Sequence, residues 1–329
     1  MNNEKNRGLR EGAMMVALTV ILILLTWYVP FFSVVGTFAC AVPIACLAAR
    51  NNVKTVAVAL VSVLIITVLT IGSLLSAISM CFMSVLPGAV AGFYLGKRSP
   101  FFTTLIATCV AVCIGWVLEI FLVDVFLPGN GINGVLGEIT GSFNEIVSSF
   151  TNRITTEEMN GIDIEKITKN LTQTMEHTFR LYFPSMVIVS SMVIGYIIVM
   201  LCSFVLRRTK IKDVKTVPFS SLKAPRSMST VAVISYLVIM LTGVESTLGA
   251  VLANVVFVLY TIIGVCGLSL CDYKIRKKIK SAVVRIIIYF LIFLFGGIFL
   301  NFILNGLVIA GILDSAYNFR RIDSESECV

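Results

Sequence analysis

The residues best suited to chemistry in this chain are polar groups set within or beside long apolar runs. Glu119 and Asp124 share one such run, and Trp116 precedes Glu119 by three positions. Glu245 and Asn254 occur later, at the end of one run and the start of the next. A charged side chain in lipid is costly unless it faces protein or water. These residues therefore indicate a binding or transport role.

The same five residues are predicted to line a ligand pocket in the outer half of a helical bundle. Trp116 and Glu119 are three residues apart and share a helical face. Glu119 and Asp124 are five apart and diverge, so they form no carboxylate pair. An aromatic wall with a few polar groups is typical of small-molecule sites. Alternatively, Asp124 and Glu245 are ordinary interfacial residues at the ends of spans.

The sequence carries no motif of a soluble enzyme. Its glycine-rich stretch 92–97 is one residue short of a phosphate-binding loop. His177 is the sole histidine and there is no C-x-x-C pair, so neither a Ser–His triad nor a metal or dithiol site is supported. We expect no catalytic residue, no metal, no cofactor and no enzymatic activity.

Composition identifies the surroundings of the chain as the lipid bilayer. Of its 329 residues 57% are hydrophobic and 13% charged, and the mean hydropathy is +0.96. These values override the usual expectation of soluble domains. The net charge of +8 comes from short loops beside apolar runs, which favours contact with anionic lipid headgroups over nucleic acid.

The apolar runs predict an all-α, polytopic transmembrane bundle. Crossing the hydrocarbon core takes about 20 apolar residues in a helix. Eight runs satisfy this requirement: 13–29, 32–49, 53–71, 74–95, 101–127, 183–206, 229–247 and 249–271.

The basic residues orient this bundle in the cell membrane. With these spans, 22 of the 26 Lys and Arg residues fall on one side, and Arg153, Lys166, Lys169 and Arg180 fall on the other. Cytoplasmic loops carry the excess of basic residues. We therefore predict a multi-pass cell-membrane protein whose N-terminus is cytoplasmic.

Residues 128–182 form an acidic segment that separates two sets of membrane helices, 1–127 and 183–329. The segment holds seven acidic and four basic residues and is placed outside the cell. Its apolar residues recur at helical spacing, which predicts two amphipathic helices. These helices either lie on the outer membrane surface or fold as a lid over the bundle.

The last apolar run, 282–313, is too long for one upright span, because 32 residues at ~1.5 Å each cover ~48 Å. Gly296 and Gly297 suggest a break into a short helical hairpin, which returns Arg320 to the cytoplasm. The alternative is one tilted helix with an outer tail. Near the start of this run, Arg285 is expected to snorkel to the cytoplasmic interface.

Two small-residue patterns predict close helix packing or a coupling surface. Ala13 and Ala17 are four residues apart in the first span, and Gly88, Gly92 and Gly96 form a ladder in the fourth. Small residues at this spacing let helix backbones approach. Packing within the chain and packing between chains both remain open.

Three stretches resemble the YybS-like family of uncharacterised bacterial membrane proteins. They are Arg10-Glu11-Gly12-Ala13-Met14-Met15-Val16-Ala17-Leu18 with the following Tyr28-Val29-Pro30 turn, Ile263-Gly264-Val265-Cys266-Gly267-Leu268-Ser269, and Gly311-Ile312-Leu313-Asp314-Ser315-Ala316-Tyr317-Asn318-Phe319-Arg320. That family in turn resembles the substrate-binding S components of energy-coupling factor (ECF) vitamin transporters. The resemblance implies an S-component-like portion in residues 1–206 with added C-terminal helices.

Two functions follow as hypotheses. The first is a membrane component that captures a small solute around Trp116, Glu119 and Asn254. The resemblance implies that an ATP-driven energy-coupling module docks on Ala13, Ala17 and the glycine ladder. The second is a membrane scaffold or envelope regulatory protein. A membrane enzyme ranks third, because the candidate acids and bases are few and unpaired.

Overall fold

The computed structural model describes residues 2–126, 131–154, 164–209 and 217–320. Within these ranges the chain is almost entirely helical and contains no β-strand. The α-helices are α1 (Asn2–Tyr28), α2 (Ser33–Ala39), α3 (Ala41–Arg50), α4 (Val53–Ile71), α5 (Leu74–Met80), α6 (Leu86–Gly96), α7 (Phe101–Phe126), α8 (Ile132–Ile154), α9 (Ile164–Arg208), α10 (Arg226–Thr242), α11 (Thr247–Arg276), α12 (Ala282–Phe295) and α13 (Leu300–Tyr317).

Eight helical stretches in the described ranges are long and apolar enough to cross a membrane, so the predicted polytopic helical bundle is confirmed. The predicted span 229–247 is not among these eight stretches. Helix α10 ends at Thr242 after 17 residues, because Gly243 adopts a positive φ of 74° and terminates it. Helix α13, with 18 residues, meets the criterion instead.

The first compact unit comprises Met1–Phe183 and Ser190–Val214. Its core lies where α1, α3, α4 and the start of α6 meet, and Ile23, Ile44, Leu47 and Val63 are fully or almost fully buried there. Burying a large aliphatic side chain is worth about 1.5–3 kcal/mol. Large apolar residues also cover the outer faces of these helices, as a lipid-facing surface requires.

The second compact unit comprises Pro184–Val189 and Lys215–Val329. Helices α11 and α13 approach closely because glycines meet the opposite backbone: Gly267 faces the carbonyl of Leu307, and Gly311 faces the carbonyl of Ile263. A side chain at either glycine would collide with that carbonyl. The two C-terminal stretches that carry the family resemblance are therefore in direct contact.

The second outer helix differs from the prediction. It is not a separate element that ends near 182, because α9 runs without interruption for 45 residues through Pro184. At ~1.5 Å per residue this helix is ~67 Å long, more than twice the ~30 Å hydrocarbon core. The outer part of α9 is thus helical without a break into the apolar span that follows it.

Helices α8 and α9 form an antiparallel pair over the outer segment. The hydroxyl of Thr172 donates to Oδ1 of Asn144 at 3.1 Å, and Nη2 of Arg180 donates to Oδ1 of Asn133 at 3.0 Å. Later positions on one helix thus pair with earlier positions on the other, as antiparallel packing requires. The start of the segment, 128–130, and the junction 155–163 lie outside the described residues.

The last apolar run breaks where the glycines predict. Helix α12 ends at Phe295, Gly297 has φ of 44°, and α13 begins at Leu300. The end of α13 then returns to the start of α10, where Arg226 donates to the carbonyls of Ser315 and Ala316 at 3.3 and 2.6 Å. The alternative of a single continuous helix is therefore wrong. Helix α13 packs mainly along α11.

Candidate functional site

The candidate site is one face of α7 together with the helix segment opposite it. Glu119 accepts a hydrogen bond from the hydroxyl of Ser79 on α5, with 2.7 Å between Oε1 and Oγ. Trp116 lies one turn earlier on α7, on the same side. Because both helices belong to the first compact unit, the unit itself positions this carboxylate.

The segment opposite α7 is irregular. Residues Cys81–Val85 form a π-helix between α5 and α6, and such insertions occur frequently at functional sites. Gly115 permits close approach here, since a Cβ on it would lie 2.8 Å from the carbonyl oxygen of Phe82. The π-helix thus begins two residues after Ser79, which holds Glu119, and contacts α7 directly.

Three buried polar atoms of these helices remain unsatisfied. Among the described residues, none donates to or accepts from Nε1 of Trp116, Oε2 of Glu119 or Oγ of Ser84. Leaving a buried polar atom unpaired costs about 1–3 kcal/mol. The three atoms are a donor, a carboxylate oxygen and a hydroxyl, which are the kinds of group that fix a small polar ligand.

The other two acidic candidates lie in more open surroundings. Asp124 is exposed near the end of α7, and a Cβ on Gly131 would lie 3.0 Å from its Oδ1. Glu245 is exposed in the turn between α10 and α11. Trp116, Glu119 and Asp124 belong to the first compact unit, and Glu245 belongs to the second.

Asn254 has a definite structural role within the second compact unit. Its Oδ1 accepts from the backbone N–H of Ser185 at 3.2 Å, and its Nδ2 donates to the carbonyl of Ala250 at 3.0 Å. Ser185 directly follows Pro184, whose ring interrupts the hydrogen-bond ladder of a helix. The Asn254 amide thus stabilises α9 beside its proline.

The glycine ladder of α6 packs against α3 within the chain. A Cβ on Gly88, Gly92 or Gly96 would collide with the backbone of Ala41, Ala45 or Ala49, respectively. Because each glycine faces one alanine, the two helices lie almost backbone to backbone. This surface is occupied within the first compact unit.

Ala13 and Ala17 lie on a different kind of surface. Both are exposed on α1, beside the exposed side chains of Met14 and Leu18. The opposite face of α1 packs into the core through Val16 and Val20. The alanine pair is therefore open to lipid or to a partner helix.

A buried polar network in the second unit was not predicted as a site. The Arg320 guanidinium donates to Oδ2 of Asp314, to the carbonyls of Ser220 and Leu222, and to Oγ of Ser269. Each of these contacts measures between 2.7 and 3.0 Å. The network joins the end of α13, the last third of α11 and the loop before α10.

Arg285 does not extend to the interface as a free cation. Its side chain is 11% exposed, and its Nε donates to Oδ1 of Asp272 at 2.8 Å. Tyr289 donates to the same oxygen at 3.0 Å, and Nη1 of Arg285 donates to the carbonyls of Ile279 and Lys280. A carboxylate on α11 and two carbonyls of the preceding loop therefore hold this arginine, a set of contacts that the sequence did not predict.

Comparison with known proteins shows that most of the chain belongs to one family. The family model DUF2232, described as "Predicted membrane protein", matches residues 17–315. The chain is 23% identical over 324 residues to "Uncharacterized protein YybS" of Bacillus subtilis (strain 168). The aligned region covers 96% of this chain and 98% of that protein. No solved structure matches.

Proposed function

We propose that this chain, which belongs to the DUF2232 family of predicted membrane proteins, is a substrate-binding membrane component. It captures a small solute and passes it inward with the help of a separate energy-coupling module. The observation that carries the proposal is the set of unsatisfied polar atoms on Trp116, Glu119 and Ser84.

This set favours ligand binding over ordinary packing. A helical bundle that needed only to fold would bury apolar side chains at these positions, because unpaired polar atoms reduce its stability. Ser79 already holds one oxygen of Glu119 in place. The second oxygen is oriented by that contact and is available to a ligand that donates a hydrogen bond.

The atoms also restrict the class of ligand. Glu119 accepts hydrogen bonds when ionised, and the indole Nε1 of Trp116 is solely a donor. The best match is therefore a small molecule with a donor or cationic group for Glu119 and an acceptor for Trp116. A flat apolar portion of that molecule would contact the indole ring.

The exposed face of α1 supports the coupling part of the proposal. Ala13 and Ala17 leave a shallow strip on α1, and small residues at this spacing permit close contact between helices in a membrane. The glycine ladder is already covered by α3. A coupling partner would therefore dock on the alanine strip and not on the ladder.

The experiment is a thermal-stability screen of the purified chain in detergent against vitamin-like compounds and other small cationic or amide-bearing solutes. A ligand at 100 times its Kd is expected to stabilise the native state by about 2.7 kcal/mol. Glu119→Gln is expected to remove most of this effect. Glu176→Gln, which neutralises a partly exposed glutamate that pairs with Arg180 on α9, is the matched control and should respond like wild type.

The screen has a clear contradictory outcome. If no compound in a broad library stabilises the wild-type chain, the substrate-binding proposal fails. It fails equally if a stabilising compound acts on Glu119→Gln and Glu176→Gln to the same extent. Folding of both variants is checked by circular dichroism before the comparison.

A second candidate function is a membrane scaffold or envelope regulatory protein. The antiparallel pair of α8 and the outer part of α9 favours it, since a helix pair projecting from a span offers a surface for other proteins. Ile146 and Leu171 on this pair are exposed. If the protein is a scaffold, replacing residues 133–179 by a short flexible linker would abolish recovery of its partner proteins. If it binds a solute, stabilisation by the solute through Glu119 would persist in the same variant.

A further inference from the structure

A cleft lies in the second compact unit, between the loop before α10 and the end of α11. It is lined by Ser220, Ser221, Tyr273, Arg276 and Lys277, and its volume is about 420 Å³. This volume falls within the ~300–1,000 Å³ of typical ligand pockets. The five residues that line it carry three hydroxyl groups and two cations, although most of the surface they present to the cleft is apolar.

Within the part of the chain that the structure describes, the carboxylates around this cleft are paired with other cations. Asp272 is engaged by Arg285 and Tyr289, and Asp314 by Arg320. Among the described residues, no carboxylate forms an ion pair with Arg276 or Lys277. Both of these aspartates are thus committed to buried arginines.

The wall of the cleft is fixed in place. The carbonyl of Phe219 accepts from Oγ of Ser269 at 2.6 Å, and the carbonyls of Ser220 and Leu222 accept from Arg320 at 2.7 and 2.8 Å. Three carbonyls of one short loop therefore accept hydrogen bonds from α11 and from Arg320, which follows α13. A loop held in this way presents its serine hydroxyls without further ordering, which reduces the entropic cost of binding.

The two cations are also positioned. Nη1 of Arg276 donates to Oγ of Ser220 at 3.2 Å, and Nζ of Lys277 lies 4.9 Å from the centre of the Tyr273 ring. Both residues are exposed at the end of α11. Because the remaining N–H groups of the guanidinium are directed at no described carboxylate, they are available to an anion.

We infer that this cleft binds a phosphate group. Arginine and lysine together with hydroxyl donors match the oxygen atoms of a phosphate. Basic pockets at the cytoplasmic ends of membrane helices bind anionic lipid headgroups by the same chemistry, and the basic side of this chain is the side predicted to be cytoplasmic. The phosphate belongs either to such a headgroup or to a soluble phosphate ester, and the site is independent of the proposed solute site around Glu119.

The test measures binding to the full-length chain in neutral detergent by native mass spectrometry. One arm titrates phosphatidylglycerol, with phosphatidylcholine as the zwitterionic reference, and the other titrates glycerol phosphate. The double variant Arg276→Gln/Lys277→Gln is expected to bind about 30-fold more weakly, on the basis of the usual contribution of each basic residue. Binding in the lipid arm alone identifies a headgroup site, and binding in both arms identifies a site for phosphate esters.

The matched control is Lys278→Gln/Lys280→Gln, which removes two charges from the same exposed loop outside the cleft. It is expected to bind like wild type, as is Arg276→Lys/Lys277→Arg, which preserves both charges. The inference would be overturned if Lys278→Gln/Lys280→Gln weakened binding of the phosphate probe as much as Arg276→Gln/Lys277→Gln does. Diffuse surface charge would then explain the binding. The inference is equally overturned if neither phosphate probe binds wild type, or if the charge-preserving variant binds as weakly as the uncharged one.

Discussion

Arg320 donates two hydrogen bonds to a single oxygen of Asp314, at 3.0 Å from Nε and 2.7 Å from Nη2. The two side chains are 0% and 2% exposed, so this ion pair is fully withdrawn from water. A buried pair of this kind is strongly destabilising when one partner is lost, because the other remains as an unpaired charge. The pair therefore controls how the end of α13 is held.

The first prediction concerns this pair. Arg320→Met is expected to lower the free energy of unfolding in detergent by about 3–5 kcal/mol, since Asp314 loses its partner and the loop carbonyls lose their donor. Adding Asp314→Leu to this variant should recover about 0.5–3 kcal/mol relative to the sum of the single losses. Strictly additive losses in chemical denaturation would contradict the assigned pairing.

The second prediction concerns the glycine ladder. Gly92→Ala forces a methyl group onto the backbone of Ala45, and overpacking of this kind costs about 1–3 kcal/mol. Gly306→Ala on α13 is the matched control, because nothing lies within 4 Å of its added Cβ. The control should be neutral or slightly stabilising. Equal melting temperatures for the two variants would contradict the close packing of α6 on α3.

Much of the fold could be predicted because lipid imposes simple rules on length and composition. The break at Gly296 and Gly297 followed from an apolar run too long for one span. The continuity of α9 could not be predicted in the same way, because the change from amphipathic to uniformly apolar sequence looked like a boundary. Pro184 lies at this change, and proline is tolerated inside membrane helices when other groups satisfy the backbone.

The candidate site was predictable only in part. Trp116 and Glu119 could be found because their spacing places them on one helical face. Ser79 could not, since a serine in an apolar run has no distinguishing feature until α5 is placed against α7. The partner of Arg285 could not be predicted for a related reason: Asp272 lies on a different helix, and sequence distance gives no indication of that contact.

The third prediction tests the docking surface on α1. Ala13→Leu/Ala17→Leu fills the exposed strip and should reduce recovery of an ATP-driven coupling partner in affinity purification by at least about tenfold, a loss of 1.4 kcal/mol. Ala57→Leu, at an exposed alanine on α4, is the control and should leave recovery unchanged. The docking proposal is wrong if the partner is recovered equally with all three proteins, or with none of them.

The fourth prediction tests orientation and the return of α13. Gly141→Cys lies on exposed α8, Lys280→Cys on the loop after α11, and Tyr317→Cys at the end of α13. With a membrane-impermeant maleimide, Gly141→Cys should label in intact cells, and the other two should label only after permeabilisation. The wild-type chain supplies the background. Labelling of Tyr317→Cys in intact cells would contradict the placement of the α13 terminus beside the basic loop.

The most direct measurement of the central claim uses the indole of Trp116 itself. The chain has two tryptophans, Trp27 and Trp116, so Trp27→Phe leaves Trp116 as the sole indole reporter. Addition of a compound that stabilises the protein should change its emission saturably, with a midpoint equal to the Kd from thermal stabilisation. Introducing Glu119→Gln into the same background should abolish the change. An emission that stays constant while the compound still stabilises the protein would show that the solute binds elsewhere and would contradict the account.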